Sequence, residues 1–135
     1  MFEKSVEELT ELGAQITTAE IAQQPELWRD TINIYRENKE AIEAFLAEAR
    51  AMGEGRLSVV FTGAGTSDYV GDTCAPYLRH AGNTDLYDFK PIATTDIVSA
   101  PRDFLRAEDP TLVVSFARSG NSPESLAAVA VAKEL

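Results

Sequence analysis

Residues 57–68 read LSVVFTGAGTSD, a mostly apolar run of six residues followed directly by two glycines and two hydroxyl-bearing side chains. A continuous apolar run of this length predicts a strand that is covered on both faces, as in a parallel sheet. The glycines end the strand, and a helical stretch is predicted from about Asp68 to His80. The order of strand, glycine-rich loop and helix is typical of one unit of an α/β fold.

A second unit of the same kind occupies residues 111–125, TLVVSFARSGNSPES. Its strand TLVVSF ends in a polar loop, and a helix is predicted from Ser122, which suits the N-cap, with Pro123 at the first helical position. Between the two units, residues 85–92 predict another strand, and residues 94–104 predict a loop with a short helix. Strands that alternate with helices in this way predict a parallel sheet with right-handed crossovers.

Residues 1–55 form a predicted helical segment that precedes the sheet region. A short amphipathic helix is predicted from Ser5 to Leu12, and residues 17–20 have the spacing of a capping box. Pro25 suits the first turn of a longer helix, which the glycines of residues 53–55 end. Its apolar residues repeat at three- and four-residue spacing, which predicts a buried stripe rather than ligand-stacking aromatic side chains. The stripe comprises Leu27, Trp28, Ile32, Tyr35, Ile42, Phe45 and Leu46.

The composition is that of a globular protein of one ordinary domain, with 135 residues, of which 44% are hydrophobic. No apolar run approaches the roughly 18–20 residues that a membrane-spanning helix needs. The N-terminal residues MFEKSVEEL lack the basic start and apolar stretch of a signal peptide. A single cysteine, Cys74, leaves no internal disulfide. These features predict a cytoplasmic protein.

The formal net charge is −10, and it is distributed unevenly along the chain. Residues 1–55 carry a net charge of −7, and residues 56–135 carry −3. An acidic chain without a basic stripe argues against nucleic acid as a partner and against anionic membrane surfaces. A small anionic ligand remains compatible with this charge, because backbone amides and hydroxyl groups can bind it locally.

The polar loops follow two strands of the predicted sheet. Ligands of open parallel sheets bind beyond the carboxyl ends of the strands, where each loop also opens a helix with unpaired amides. Serine, glycine and asparagine also serve in any strand-to-helix turn, but two such loops in one sheet favour a ligand site. The predicted phosphate-binding residues are Gly65, Thr66, Ser67, Arg118, Ser119, Gly120, Asn121 and Ser122.

Other motifs fit the sequence less well. A dinucleotide-binding fingerprint fails because Asp68 occupies the place of its third glycine. Only Asp88, which lies roughly where a ribose-binding acid is expected, supports dinucleotide binding. No Walker A sequence is present, and Ser67 lacks the flanking glycines of a nucleophile elbow. His80, the only histidine, is expected at a helix C-terminus rather than as a catalytic base. One cysteine and one histidine supply no metal cluster, and we expect neither metal nor cofactor.

Together, GAGTSDYVG and SFARSGNSPES resemble the paired loops of the sugar isomerase (SIS) domain family. The resemblance is strongest to the tagatose-6-phosphate ketose/aldose isomerase branch, which includes galactosamine-6-phosphate isomerase/deaminase-like proteins. The resemblance extends over essentially the whole chain. It implies a three-layer α/β fold with a parallel sheet, as a partial SIS domain at residues 56–135. It also implies phosphate binding by Thr66, Ser67, Ser119 and Ser122. Synthase relatives usually have Ser-Gln-Ser-Gly where this chain has ARSG, which favours the tagatose-type branch.

The resemblance implies the sugar-phosphate-binding part of an aldose–ketose isomerase that acts on (amino)sugar 6-phosphates such as tagatose-6-phosphate or galactosamine-6-phosphate, with or without deamination. Such proteins resemble two tandem SIS domains, and this chain ends inside an apolar-periodic helix, so we expect an N-terminal part. Asp68, Asp96 and Glu124 are the acids nearest the strand ends, but no catalytic base is assigned. A homo-oligomer is expected. Two alternatives stay open, a non-catalytic sugar-phosphate-sensing module and an interaction module that pairs through an edge strand.

Overall fold

The structure, a computed structural model, describes residues 2–135, in which six helices and three strands alternate after a helical start. The elements in chain order are α1 (Val6–Glu11), α2 (Gln15–Ala51), β1 (Leu57–Thr62), α3 (Thr66–Ala81), β2 (Tyr87–Pro91), α4 (Thr94–Ser99), α5 (Pro101–Phe104), β3 (Thr111–Ser115) and α6 (Pro123–Glu134).

The three strands form one parallel sheet in the order β2-β1-β3. In the register of this sheet, Val59 of β1 lies beside Phe89 of β2 on one side and Leu112 of β3 on the other. Because all strands run in the same direction, the loops that follow β1, β2 and β3 lie at one edge of the sheet. The predicted α/β fold with a parallel sheet is therefore confirmed.

Each face of the sheet is covered by helices, which gives three layers. Successive side chains of a strand point to opposite faces, so β1 supplies both cores. Val60 of β1, which is fully buried, packs with Ile97 of α4 and Ala128 of α6 on one face. The opposite face, toward α3, buries Leu57, Val59, Phe61, Ala75 and Phe89.

The strand predictions agree closely with the structure. β1 has the predicted bounds, and β2 and β3 fall inside the predicted runs. The helix α3 begins at Thr66, two residues before the predicted start, and Ser122 is the N-cap of α6 as predicted. Residues 94–104 form two short helices, where the sequence predicted one with a loop.

The predicted start of the long helix was wrong, because α2 begins at Gln15 and contains Pro25 in its interior. An internal proline removes one backbone hydrogen bond, but the helix continues where the residues on both sides favour it. The capping box lies instead at the start of α1. Its hydroxyl at Ser5 accepts the Glu8 amide at 3.2 Å, and the Ser5 amide donates to the Glu8 carboxylate at 2.9 Å.

The prediction of a buried apolar stripe along α2 was also wrong. Trp28 is 63% exposed and Tyr35 is 50% exposed. The helical period is present, but a period identifies only a face and not what covers it. Residues up to Ala44 form one compact unit and Phe45–Leu135 form a second, which contains the sheet. Among the described residues, no helix combines the length and apolar character needed to cross a bilayer.

Candidate functional site

The loops after β1 and β3 together line a small cavity of about 180 Å³ at the carboxyl edge of the sheet. Five polar side chains contribute to its wall. They are Ser67 of the first loop and helix start, and Arg118, Ser119, Ser122 and Ser125 of the second. The cavity thus lies where parallel α/β sheets bind their ligands.

The first loop is held by a close approach of backbone to backbone. A Cβ added to Gly63 would lie 2.5 Å from the carbonyl carbon of Ser67, so only glycine fits there. The Gly63 carbonyl also accepts two hydrogen bonds from Thr94, one from its amide at 3.0 Å and one from its hydroxyl at 3.1 Å. Gly65 is the N-cap of α3, with φ of 58° and no capping side chain. The loop before α3 is therefore held by hydrogen bonds to Thr94, and no capping side chain covers the N-terminus of the helix.

The second loop turns at Gly120, whose φ of 69° favours glycine. The Ser119 hydroxyl accepts the Asn121 amide at the long distance of 3.4 Å. Ser122 has a firmer role, because its oxygen accepts the Ser125 amide at 3.3 Å and its hydroxyl forms a hydrogen bond with the Ser125 hydroxyl at 2.8 Å between oxygens. Ser122 is therefore a true helix cap, whereas Ser119 contributes little to the turn.

Five of the eight predicted phosphate-binding residues line the cavity, namely Ser67, Arg118, Ser119, Gly120 and Ser122. The other three, Gly65, Thr66 and Asn121, belong to the same loops but do not line it. The structure thus brings both predicted loops together in one place. Their role in phosphate binding remains a prediction.

Four residues of the cavity wall are absent from the predicted set, namely Ala64, Phe116, Ala117 and Ser125. Ser125 lies three residues after the N-cap Ser122, and residues three apart share one helix face. That spacing could have identified it. Phe116 follows β3, and its ring stacks on Phe61 at 6.1 Å between centroids. It connects the cavity wall to the core on the α3 side of the sheet.

Positive charge at this edge of the sheet is scarce. Arg118 is the one basic residue in the cavity wall, and it is exposed. Within residues 2–135, no carboxylate forms an ion pair with it. The remaining attraction for an anion comes from the N-termini of α3 and α6, whose first amides carry partial positive charge.

Two acidic side chains lie beside this site. Burial raises the pKa of Asp68, in the first turn of α3, and the negative charges of Asp72 and Asp96 raise it further. One carboxylate oxygen of Asp68 is buried without a hydrogen-bond partner among the described residues. Glu124 is exposed in the first turn of α6, where the helix dipole favours it. Asp68 could hold or transfer a proton, but it does not line the cavity.

A larger cavity, of about 450 Å³, lies at the opposite edge of the sheet. Its wall includes Gly53, Leu105, Glu108 and Pro110, near the amino end of β3. Because ligands of parallel sheets bind beyond the carboxyl ends, size does not make this cavity the candidate site. Among residues 2–135, no group of three or more His, Cys, Asp or Glu side chains is placed to hold a metal ion.

Known proteins resemble this chain in both sequence and fold. The D-galactosamine-6-phosphate deaminase AgaS of Shewanella sp. (strain ANA-3) is 44% identical over 131 residues, which are 97% of this chain and 33% of that protein. A crystal structure from Clostridium novyi NT, named provisionally as a tagatose-6-phosphate ketose/aldose isomerase, has a TM-score of 0.88 and 41% identity over 100% of this chain. Nearly the whole of this chain therefore has a counterpart in these proteins, in both sequence and fold.

A further structure, the tagatose-6-phosphate ketose/aldose isomerase from Escherichia coli, has a TM-score of 0.76 and 38% identity and covers 87% of this chain. The chain spans about a third of the length of the relatives it matches. No family model matches the chain. The resemblance to the tagatose-6-phosphate isomerase branch is thus confirmed by sequence and fold, over a chain much shorter than its relatives.

Proposed function

We propose that this chain binds the phosphate group of a sugar 6-phosphate or amino-sugar 6-phosphate, as part of an enzyme that isomerises or deaminates that sugar. The observation that carries the proposal is the meeting of the two hydroxyl-rich loops in one cavity at the carboxyl edge of the sheet. The names of the relatives, galactosamine-6-phosphate deaminase and tagatose-6-phosphate ketose/aldose isomerase, supply the substrate class.

The size of the cavity supports binding of one end of a substrate. Its volume of about 180 Å³ is smaller than the roughly 300–1,000 Å³ that is common for pockets enclosing a drug-sized ligand. A phosphate group therefore fits inside, while the sugar carbons extend beyond the wall. Donors at this wall match the acceptor oxygens of phosphate, since serine hydroxyls, helix amides and a guanidinium can all donate.

In such an enzyme, phosphate binding orients the substrate. Isomerisation moves a proton between C1 and C2 of the open-chain sugar through an enediol, and a base must lie close to those carbons. In deamination, the same proton transfer gives an enolamine and then an imine at C2, and water hydrolyses that imine to the ketose and ammonia. A phosphate fixed far from the reacting carbons restricts their position and lowers the entropic part of the barrier. This chain supplies that anchor, and none of its acids is assigned as the base.

The proposal is tested by thermal unfolding of the chain with galactosamine 6-phosphate or tagatose 6-phosphate. A ligand at a hundred times its Kd stabilises the native state by about 2.7 kcal/mol, so the midpoint should rise. The unphosphorylated sugars should produce no rise. Ser119→Ala removes a hydroxyl that the turn barely uses, and loss of one charge-assisted hydrogen bond should weaken binding roughly 10- to 150-fold.

The matched control is Ser99→Ala, which removes an exposed serine hydroxyl at the end of α4, outside the cavity. This variant should bind the sugar phosphates as the wild-type chain does. A folded wild-type chain whose midpoint does not move with either phosphorylated sugar contradicts the proposal. Binding without turnover in the complete protein would instead favour a non-catalytic sugar-phosphate sensor.

A further inference from the structure

Ser122 and Ser125 form a closely coupled pair in the cavity wall. Their hydroxyl oxygens are 2.8 Å apart, and the Ser125 amide donates to the Ser122 oxygen at 3.3 Å. Ser125 is only 7% exposed, which fixes its side chain, and both residues line the cavity. A ligand that accepts the Ser122 proton therefore requires Ser125 to be the donor in the contact between the two hydroxyl groups.

The proton of Ser122 decides what this pair offers to a ligand. A serine hydroxyl has one proton and two acceptor lone pairs. The distance of 2.8 Å between the two hydroxyl oxygens allows either serine to be the donor, so the Ser122 proton points either to the Ser125 oxygen or outward. A phosphate dianion has only acceptor oxygens, so Ser122 must turn its proton outward to bind it. The contact with Ser125 then survives only if the Ser125 hydroxyl becomes the donor.

We propose that Ser125 is a positioning residue for the phosphate, whose buried hydroxyl donates to the Ser122 oxygen and directs the Ser122 proton toward a phosphate oxygen. This inference rests on the function proposed above. In the bound state, both lone pairs of Ser122 accept from Ser125, one from its amide and one from its hydroxyl. Ser122 is thereby a donor only. Consecutive hydrogen bonds in such a chain polarise and strengthen one another.

A hydroxyl that only donates distinguishes between the two charge states of phosphate. A phosphate ester loses its second proton at about pH 6, so the dianion predominates above that pH and the monoanion below it. The P–OH group of the monoanion needs an acceptor, which Ser122 does not offer while Ser125 occupies both lone pairs. The affinity of the wild-type chain should therefore rise with pH through this range.

Ser125→Ala frees one lone pair of Ser122 and reduces the preference for the dianion to the part that Arg118 and the helix N-termini supply. We expect binding of galactosamine 6-phosphate to weaken roughly 3- to 10-fold at about pH 8, as for the loss of one ordinary hydrogen bond. At about pH 5, where the monoanion can donate to Ser122, the loss should be less than about 2-fold. The helix should persist, because alanine favours a helix and the Ser125 amide still meets Ser122.

The experiment is a calorimetric titration of the wild-type chain, Ser125→Ala and Ser125→Thr with galactosamine 6-phosphate at these two pH values. Ser125→Thr keeps the hydroxyl and should restore the pH dependence, and Ser99→Ala is the matched control. Equal affinity of Ser125→Ala and the wild-type chain at both pH values would overturn the inference. A uniform loss at both pH values, without recovery in the threonine variant, would also overturn it, because only packing would then be affected.

The two proposals fail in different ways. If the folded wild-type chain does not bind the sugar phosphate at either pH, the proposed function fails, and the role of Ser125 fails with it. If the wild-type chain binds and Ser119→Ala weakens binding, while Ser125→Ala changes neither affinity nor its pH dependence, only the role of Ser125 is overturned.

Discussion

Substitution of Gly63 by alanine should damage both the stability of the sheet unit and the candidate site. The added Cβ would lie 2.5 Å from the carbonyl carbon of Ser67 and 2.7 Å from the amide nitrogen of Asp68. Ordinary contacts of this kind begin at 3.4 Å, so the first turn of α3 must move by about 1 Å. The neighbours are backbone atoms, which have no rotamer with which to escape. Overpacking of this type costs about 2 kcal/mol.

In a unit of the size of Phe45–Leu135, this loss lowers Tm by roughly 8–16 °C. The assay is thermal unfolding followed by circular dichroism, with titration of galactosamine 6-phosphate, whose affinity should also fall because Ser67 is displaced. Gly55→Ala is the control, because a Cβ added to Gly55 would meet no neighbouring atom, although the backbone has φ of 86°. This variant should lose about 1–2 kcal/mol of stability from backbone strain alone and should bind the ligand as the wild-type chain does. A Gly63→Ala variant that melts within about 2 °C of the wild-type chain would refute the close approach.

Two further predictions concern stability. Ser122→Ala removes the cap of α6 and should lower the free energy of unfolding, measured by chemical denaturation, by about 1 kcal/mol. Ser119→Ala should leave that free energy within about 0.5 kcal/mol of the wild-type value. Equal losses in the two variants would contradict the distinction between the two serines. The pKa of Asp68 is raised in the folded state from its usual 3.8. The wild-type chain therefore loses stability as the pH rises from 3.8 to the folded-state pKa, because Asp68 ionises more readily in the unfolded chain. Asp68→Asn should therefore be more stable than wild type at about pH 7 and lose this advantage at about pH 3, where Asp68 is protonated in both states; an advantage independent of pH would contradict the raised pKa.

The sheet could be predicted because the residues of each strand and the residues that follow it both have a characteristic composition. β1 is mostly apolar and is followed by glycine, and β3 ends in the serine loop, so strand type and strand end are both local properties. The wrong helix start at Pro25 has a different origin. Proline is compatible with the first turn of a helix, and also with an interior position where the helix tolerates the loss of one backbone hydrogen bond. The exposure of Trp28 was unpredictable for a third reason, because burial depends on a surface that the period of the helix does not specify.

The candidate site was predictable in outline because parallel strands place their following loops at one edge. The individual members were not, because the path of each loop decides which side chain meets the cavity. Thr66 and Asn121 have suitable chemistry but do not line it. Ser125 lines it from inside a helix, through its position relative to Ser122. Sequence patterns thus locate a site by topology, whereas the direction of each side chain depends on the three-dimensional path of its loop.

The serines after β3 raise the question of whether turn chemistry alone explains them, and the answer differs between residues. Ser122 is fully accounted for as a cap, because its oxygen accepts the Ser125 amide whether or not a ligand is present. Ser119 is exposed and its one contact, to the Asn121 amide, is long at 3.4 Å. Loss of so weak a contact costs the turn little. The fold therefore needs the Ser119 hydroxyl little, whereas the proposed function uses it as a donor to phosphate, and binding to Ser119→Ala is the measurement that separates the two explanations.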